Sequence, residues 1–209
     1  MTRSFTSLLS LSALLFALTT GCGDSASADT SPAEGATPTA PATAPPPSHV
    51  FDAAAAALNN GGSAQQVRDA LMENFAQVST PTGEIDYAAA DQYLDLVEKM
   101  AEKFPGDTLV ALPLYKAADL LRAEGDDLRV ADIYGRIHRD YRAFSKSGEA
   151  LFMQAFVYDE NLKDYDTARK LYEQFLAEYP DHTFADDTEM MIKNLGKSPE
   201  EVMQGLENQ

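Results

Sequence analysis

From residue 51 onward, apolar positions recur at three- and four-residue spacing with charged positions between them, the pattern of helices that each bury one stripe. Residues 164–179 are the clearest case. Tyr165, Ala168, Leu171, Tyr172, Phe175, Leu176 and Tyr179 fall on one stripe, Lys170, Glu173, Gln174 and Glu178 on the other, and Pro180 ends the run. Before it, Leu151, Phe152, Ala155, Phe156, Tyr158 and Leu162 make a second stripe. The linker at Lys163 and Asp164 is so short that the two helices must pack antiparallel. The arrangement recurs upstream. Asp86-Tyr87 with Ala90, Asp127-Leu128 with Ala131, and Asp164-Tyr165 with Ala168 mark helix starts 41 and 37 residues apart. The ends at Phe104, Tyr141 and Tyr179 repeat at 37 and 38, within the range of a solenoid repeat. The pattern predicts helices at 63–78 paired with 86–103, 109–123 with 127–141, and 147–162 with 164–179. A further helix at 183–195 would cover the open end, and Ser198, Pro199 and Glu201 are the start signals of a short last helix. Phe51 to Leu58 reads as one more amphipathic helix, stopped at Asn59, Asn60, Gly61 and Gly62.

Upstream of residue 51 the pattern changes. Arg3 precedes an apolar run from Phe5 to Leu18, 14 residues that would rise only about 21 Å as a helix, against roughly 30 Å of hydrocarbon. That is the form of a secretory signal rather than a membrane span. Gly23 to Val50 holds seven Ala, six Pro, four Ser and four Thr, with Val50 its one large aliphatic residue. Such a stretch cannot bury enough apolar area to offset backbone ordering, so it reads as a disordered tether with a mean reach of about 30 Å. Leu18, Thr19, Thr20, Gly21 and Cys22 resemble the lipobox of bacterial lipoprotein signal peptides, with Thr19 where Leu is usual. The resemblance implies cleavage before Cys22, a diacylglycerol thioether on its sulfur and an acylated new amine. The competing expectation is ordinary cleavage after Ala28, behind the Ala26-Ser27-Ala28 site. The expected organisation is a lipoprotein signal peptide at 1–21, a lipidated Cys and tether at 22–50, and a helical domain at 51–209.

Residues 150–182, ALFMQAFVYDENLKDYDTARKLYEQFLAEYPDH, resemble the tetratricopeptide repeat family, most closely the variety found in bacterial envelope lipoproteins. Ala155 stands at the small position of the first helix, Tyr158 at its aromatic, Ala168 and Tyr172 at the second helix's signature positions, and Pro180 at the terminator; Ala118, Leu121 and Ala131 fit upstream. The chain has no Trp, and Arg142 replaces the terminating Pro. The resemblance implies an all-α fold, a right-handed α-solenoid of about three such hairpins plus C-terminal capping helices. It also implies a groove lined by the first helices of successive units. That would place Tyr115, Asp119 and Arg122 in a partner-binding groove, followed by Phe152, Phe156 and Asp159. The spacing of Phe152 and Phe156 equally suits core residues.

Charge and composition then narrow the chemistry. The 209 residues carry 33 acids and 16 bases, a formal charge of -17, and residues 51–209 alone carry -15. Such a chain repels a phosphate backbone, so no nucleic-acid partner is expected, and membrane attachment should rest on the N-terminal lipid rather than on a basic face. Cys22 is the one cysteine, and His49, His138 and His182 lie nowhere at metal-ligand spacing. No metal site, no cofactor and no catalytic residues are expected, since neither a phosphate loop nor a nucleophile elbow is present. The expected function is a non-enzymatic adaptor or scaffold in the bacterial cell envelope, lipid-anchored in the outer membrane and facing the periplasm, with envelope proteins or peptides as partners. The alternatives are capture of a small molecule or glycan in the helical groove, or an unrecognised hydrolase.

Overall fold

The protein is described here by a computed structural model covering residues 49–79 and 82–207. The signal run, Cys22 and nearly all of the tether lie outside the described residues. Nine α-helices are seen among the described residues: α1 (Asp52–Asn59), α2 (Ala64–Asn74), α3 (Tyr87–Lys103), α4 (Ala111–Glu124), α5 (Asp127–Asp140), α6 (Ser147–Phe156), α7 (Tyr165–Glu178), α8 (Ala185–Asn194) and α9 (Pro199–Glu207). The only strand-like feature among them is an isolated bridge from Ser79 to Ile85. No described helix is long and apolar enough to cross a membrane.

The repeat is a property of the backbone. α3, α5 and α7 each start on an aspartate whose carboxylate accepts the amide three residues on: Asp86 from Ala89 at 3.1 Å, Asp126 from Arg129 at 3.3 Å, and Asp164 from Thr167 at 3.1 Å. Each cap satisfies a helix-end donor that would otherwise have no partner. The second cap is Asp126, not Asp127 as the sequence suggests, so the starts lie 40 and 38 residues apart and Val130, not Ala131, matches Ala168. The three helices also end alike. Phe104, Tyr141 and Tyr179 donate their amides to Met100, Ile137 and Phe175 at 3.0, 3.1 and 2.8 Å. Two tight turns follow each end, closed by Asp107 to Phe104 and Val110 to Asp107, by Phe144 to Tyr141 and Ser147 to Phe144, and by His182 to Tyr179 and Ala185 to His182. The same hydrogen bonds at the same offsets set each new hairpin on the one before it. The domain is an all-α solenoid of helical hairpins.

Packing runs from each helix to the next from α3 through to α8. The first unit departs from the expected pairing of 63–78 with 86–103. α2 leans on α1 more than on α3, and the 3₁₀ turn Phe75–Val78 supplies much of the contact with α3. The cause is the added N-terminal helix: Phe51, fully buried, sets its ring 5.2 Å from Tyr93, and Phe75 approaches Tyr93 from another side at 5.0 Å. Lys103 ties the far end of α3 to the Leu58 carbonyl at the end of α1. At the other end, Phe184 of the turn before α8 lies 4.9 Å from Phe152, so α8 and its leading turn cover the last apolar face.

Candidate functional site

α4 carries Tyr115, Asp119 and Arg122 at helical spacing, which places them along one face. Tyr115 donates its hydroxyl to Glu149 of α6 at 2.6 Å. Lys146 reaches the same carboxylate at 3.0 Å and lies 4.8 Å from the centre of the Tyr115 ring. Burial alone would push the Glu149 carboxyl up, but the Tyr115 hydroxyl and Lys146 outweigh it and hold it below its usual range. Tyr115 is raised in turn, by burial first and then by its bond to Glu149. Asp119 pairs with Lys116 at 3.1 Å, and that ammonium lies 5.5 Å from the ring centre of Phe75. A continuous polar and aromatic row thus runs from Phe75 through α4 to the first turn of α6.

Behind this row lies Tyr134 of α5, fully buried, its ring edge-on to Tyr115 at 5.6 Å. Its hydroxyl makes no well-formed hydrogen bond among the described residues, although the Arg122 guanidinium stands close enough to act on it as a donor. Burial and the charge of Asp119 raise its pKa, while Arg122 lowers it both by its charge and as a hydrogen-bond donor. A buried polar group without a partner costs roughly 1–3 kcal/mol, so it is retained where something else supports it. Arg122 itself is exposed.

The other sequence-derived positions divide. Phe152 is core: its ring contacts Tyr172, Phe175 and Phe184 at 5.9, 5.7 and 4.9 Å. That removes it from an open groove, because α8 and its leading turn cover it. Phe156 is half-buried and stacks on Phe152 at 6.4 Å. Asp159 is 5% exposed and stands apart from the Tyr115 row, facing a cavity of about 530 Å³ between the end of the third unit's first helix, α8 and α9. Cys22 lies outside the described residues. Sequence reasoning missed Lys146, Glu149 and Tyr134. Tyr134 matches Tyr172 at a distance of 38 residues, the one signal that could have singled it out.

His138 forms a second cluster on α5. Nearly buried, it sets Nε2 3.2 Å from Glu178, which also binds Arg142 at 2.5 Å. Burial lowers its pKa against the pull of the Glu178 carboxylate. Through Glu178 this cluster links α5 and the turn after it to α7. Among the described residues, no group of three or more His, Cys, Asp or Glu side chains could hold a metal ion.

Residues 149–182, the α6–α7 hairpin, match the tetratricopeptide repeat family model. No curated protein and no solved structure matches the chain. The hairpins before it share its capped starts and closing turns, so the α6–α7 hairpin is similar to a tetratricopeptide repeat and belongs to an array built on one plan.

Proposed function

We propose that this protein is a non-enzymatic adaptor of the bacterial cell envelope, held by a lipid on Cys22 and docking protein partners on the face formed by Tyr115, Asp119 and Arg122. Its repeat supports a role as a protein–protein interaction scaffold, the usual work of this family. The observation that carries the docking face is the exposed Arg122 guanidinium on the same α4 face as Tyr115, which the Glu149 and Lys146 side chains join to α6. A peptide laid across α4 and α6 would meet the opposed charges of Asp119 and Arg122 at one point, which would fix its direction. Aromatic and arginine side chains dominate interface energies, and Tyr115 and Arg122 flank this point. The lipid assignment is supported by the run from Leu18 to Cys22. Two or three acyl chains hold a protein at a bilayer essentially permanently, whereas one binds marginally.

Crosslinking in envelopes, followed by identification of the partner, tests the docking face. The Tyr115→Phe, Arg122→Glu double variant should reduce the main crosslink at least tenfold while leaving the helical content unchanged. An undiminished crosslink overturns the assignment of this face. The mass of membrane-extracted protein, compared with a Cys22→Ser version, tests the anchor separately; a soluble wild type beginning at Asp29 overturns it.

A further inference from the structure

The second and third units differ by a single residue. From Val110, which closes the turn before α4, to the cap at Asp126 is 16 positions; from Ser147 to Asp164 it is 17. The extra residue is absorbed as one π-helical turn, Val157–Asn161, after α6. The hydrogen bonds record it: the Asp126 amide reaches back five residues to Leu121, and the Asp164 amide reaches back six to Tyr158. Matched forward from the shared turn, Asp159 corresponds to the exposed Arg122. Matched backward from the shared cap, it corresponds to the fully buried Leu121. Its burial follows the second match. The inserted residue has therefore turned a carboxylate into a place where the preceding unit holds a leucine. π turns of this kind are rare and concentrate at functional sites.

Asp159 is poorly served by the protein. Among the described residues its carboxylate accepts one hydrogen bond, from the Tyr172 hydroxyl, long at 3.4 Å. The cavity it faces has Tyr165, Met191, Val202 and Met203 on its walls, and its volume falls within the roughly 300–1,000 Å³ of small-ligand sites. Lys163, on the rim, is the one non-glycine residue with positive φ among the described residues, at 55°, where the second unit has Gly125 at 79°. A lysine kept in a conformation that disfavours L residues marks a position where the side chain matters more than the backbone. That lysine is held by Glu160 at 3.2 Å and so is not aimed at Asp159 as a partner. Lys197 is exposed, where solvent and salt screen it. Asp159 is the one charge of the site inside the low-dielectric wall, and it is negative.

We propose that this cavity binds a primary ammonium group on an alkyl stem. The carboxylate of Asp159 accepts hydrogen bonds from the ammonium, and Met191, Val202 and Met203 cover the stem. Burial raises the pKa of the Asp159 carboxyl, and a bound cation relieves that cost. The chemistry fits a lysine side chain offered by a protein or a free linear diamine. The site is separate from the α4–α6 face and does not depend on it.

Nuclear magnetic resonance of the full chain, with methyl-labelled methionines, tests the proposal using two probes, Nα-acetyl-lysine N-methylamide and 1,5-diaminopentane, with hexanoate as the anionic control. One or both amines should shift the Met191 and Met203 methyl signals in a saturable way. Tighter binding of the lysine derivative identifies a protein side chain as the source, and tighter binding of the diamine identifies a free amine. Asp159→Asn, which keeps shape and the Tyr172 contact, should weaken binding at least tenfold. Met203→Ala, on an exposed side chain whose loss leaves the fold untouched, should weaken it several-fold. The proposal falls if neither amine shifts those signals, if hexanoate binds as tightly as the amines, or if either variant binds as well as wild type.

Discussion

The second and third hairpins share their caps and closing turns, yet they treat the same buried tyrosine in opposite ways. Tyr134 and Tyr172 lie 38 residues apart and are both fully buried. Tyr172 donates to the Asp159 carboxylate, whereas the Tyr134 hydroxyl makes no well-formed hydrogen bond among the described residues and has the Arg122 guanidinium beside it as a donor. The difference traces to one inserted residue. It brings Asp159 inward in the third unit, while the second unit keeps Leu121 in the matching place. A repeat array can thus acquire a polar site without changing its packing plan, because one added residue rotates only the last turn of one helix and the next cap restores the register.

The strongest way to break this comparison is to place the charge without the insertion. Leu121→Asp puts a carboxylate into a core position in a regular helix, where burial of an unpaired ion costs roughly 3–5 kcal/mol. The Tyr134 hydroxyl is one neutral donor and does not offset that loss. Urea unfolding should show an unfolding free energy lowered by that amount, with the midpoint shifted accordingly. Asp159→Leu, the reverse exchange, should be neutral or stabilising. A mild effect of Leu121→Asp would mean that the π turn is not what makes the third unit tolerate its carboxylate.

The hairpin turn gives a smaller, paired effect. A Cβ added at Gly125 meets nothing within 4 Å, so Gly125→Ala reports the left-handed backbone alone and should cost about 1–2 kcal/mol. Lys163→Gly should recover about 1 kcal/mol by the same argument, with opposite sign. Thermal unfolding of the two variants measures both. Equal signs would show that the two turns are not equivalent.

How much of this could be read from the residues follows from what sets each feature. Apolar stripes, aspartate caps and aromatic helix ends are local, and Asp86, Asp164, Phe104, Tyr141 and Tyr179 marked the repeat from sequence alone. Two adjacent aspartates defeated the choice of cap in the second unit, because Asp126 and Asp127 are chemically alike and only backbone geometry separates them. The role of α1 was illegible because Phe51 meets Tyr93 across some forty residues. On the candidate face, Tyr115, Asp119 and Arg122 were placed by the resemblance to the repeat family, whose first helices line a groove. Glu149 and Lys146 were missed because they arrive from another unit. Phe152 could not be told from a groove residue until Phe184 covered it. The π turn leaves no composition signal, since the apolar stripe through Phe156 and Tyr158 continues across it.

The finest test of the comparison is titration at the matched positions. Burial, aided by Glu160, favours the protonated form of Asp159, while the Tyr172 hydroxyl and Lys163 work against it. Its folded pKa therefore lies above the ordinary 3.8. Between those two values the folded chain keeps a proton that the unfolded chain has released, so stability from this group is full below about 3.8 and drains away as pH rises through the folded value. Asparagine does not titrate. The Asp159→Asn variant should gain on wild type as pH rises above about 4, with the Tyr172 hydroxyl and Lys163 reducing the gain that burial alone would give. Leu121→Val, which alters the matched position without a charge, should run parallel to wild type across the same urea series. If Asp159→Asn also runs parallel, the carboxylate is solvated in the folded chain, and the one-residue insertion has not created a distinct environment for it.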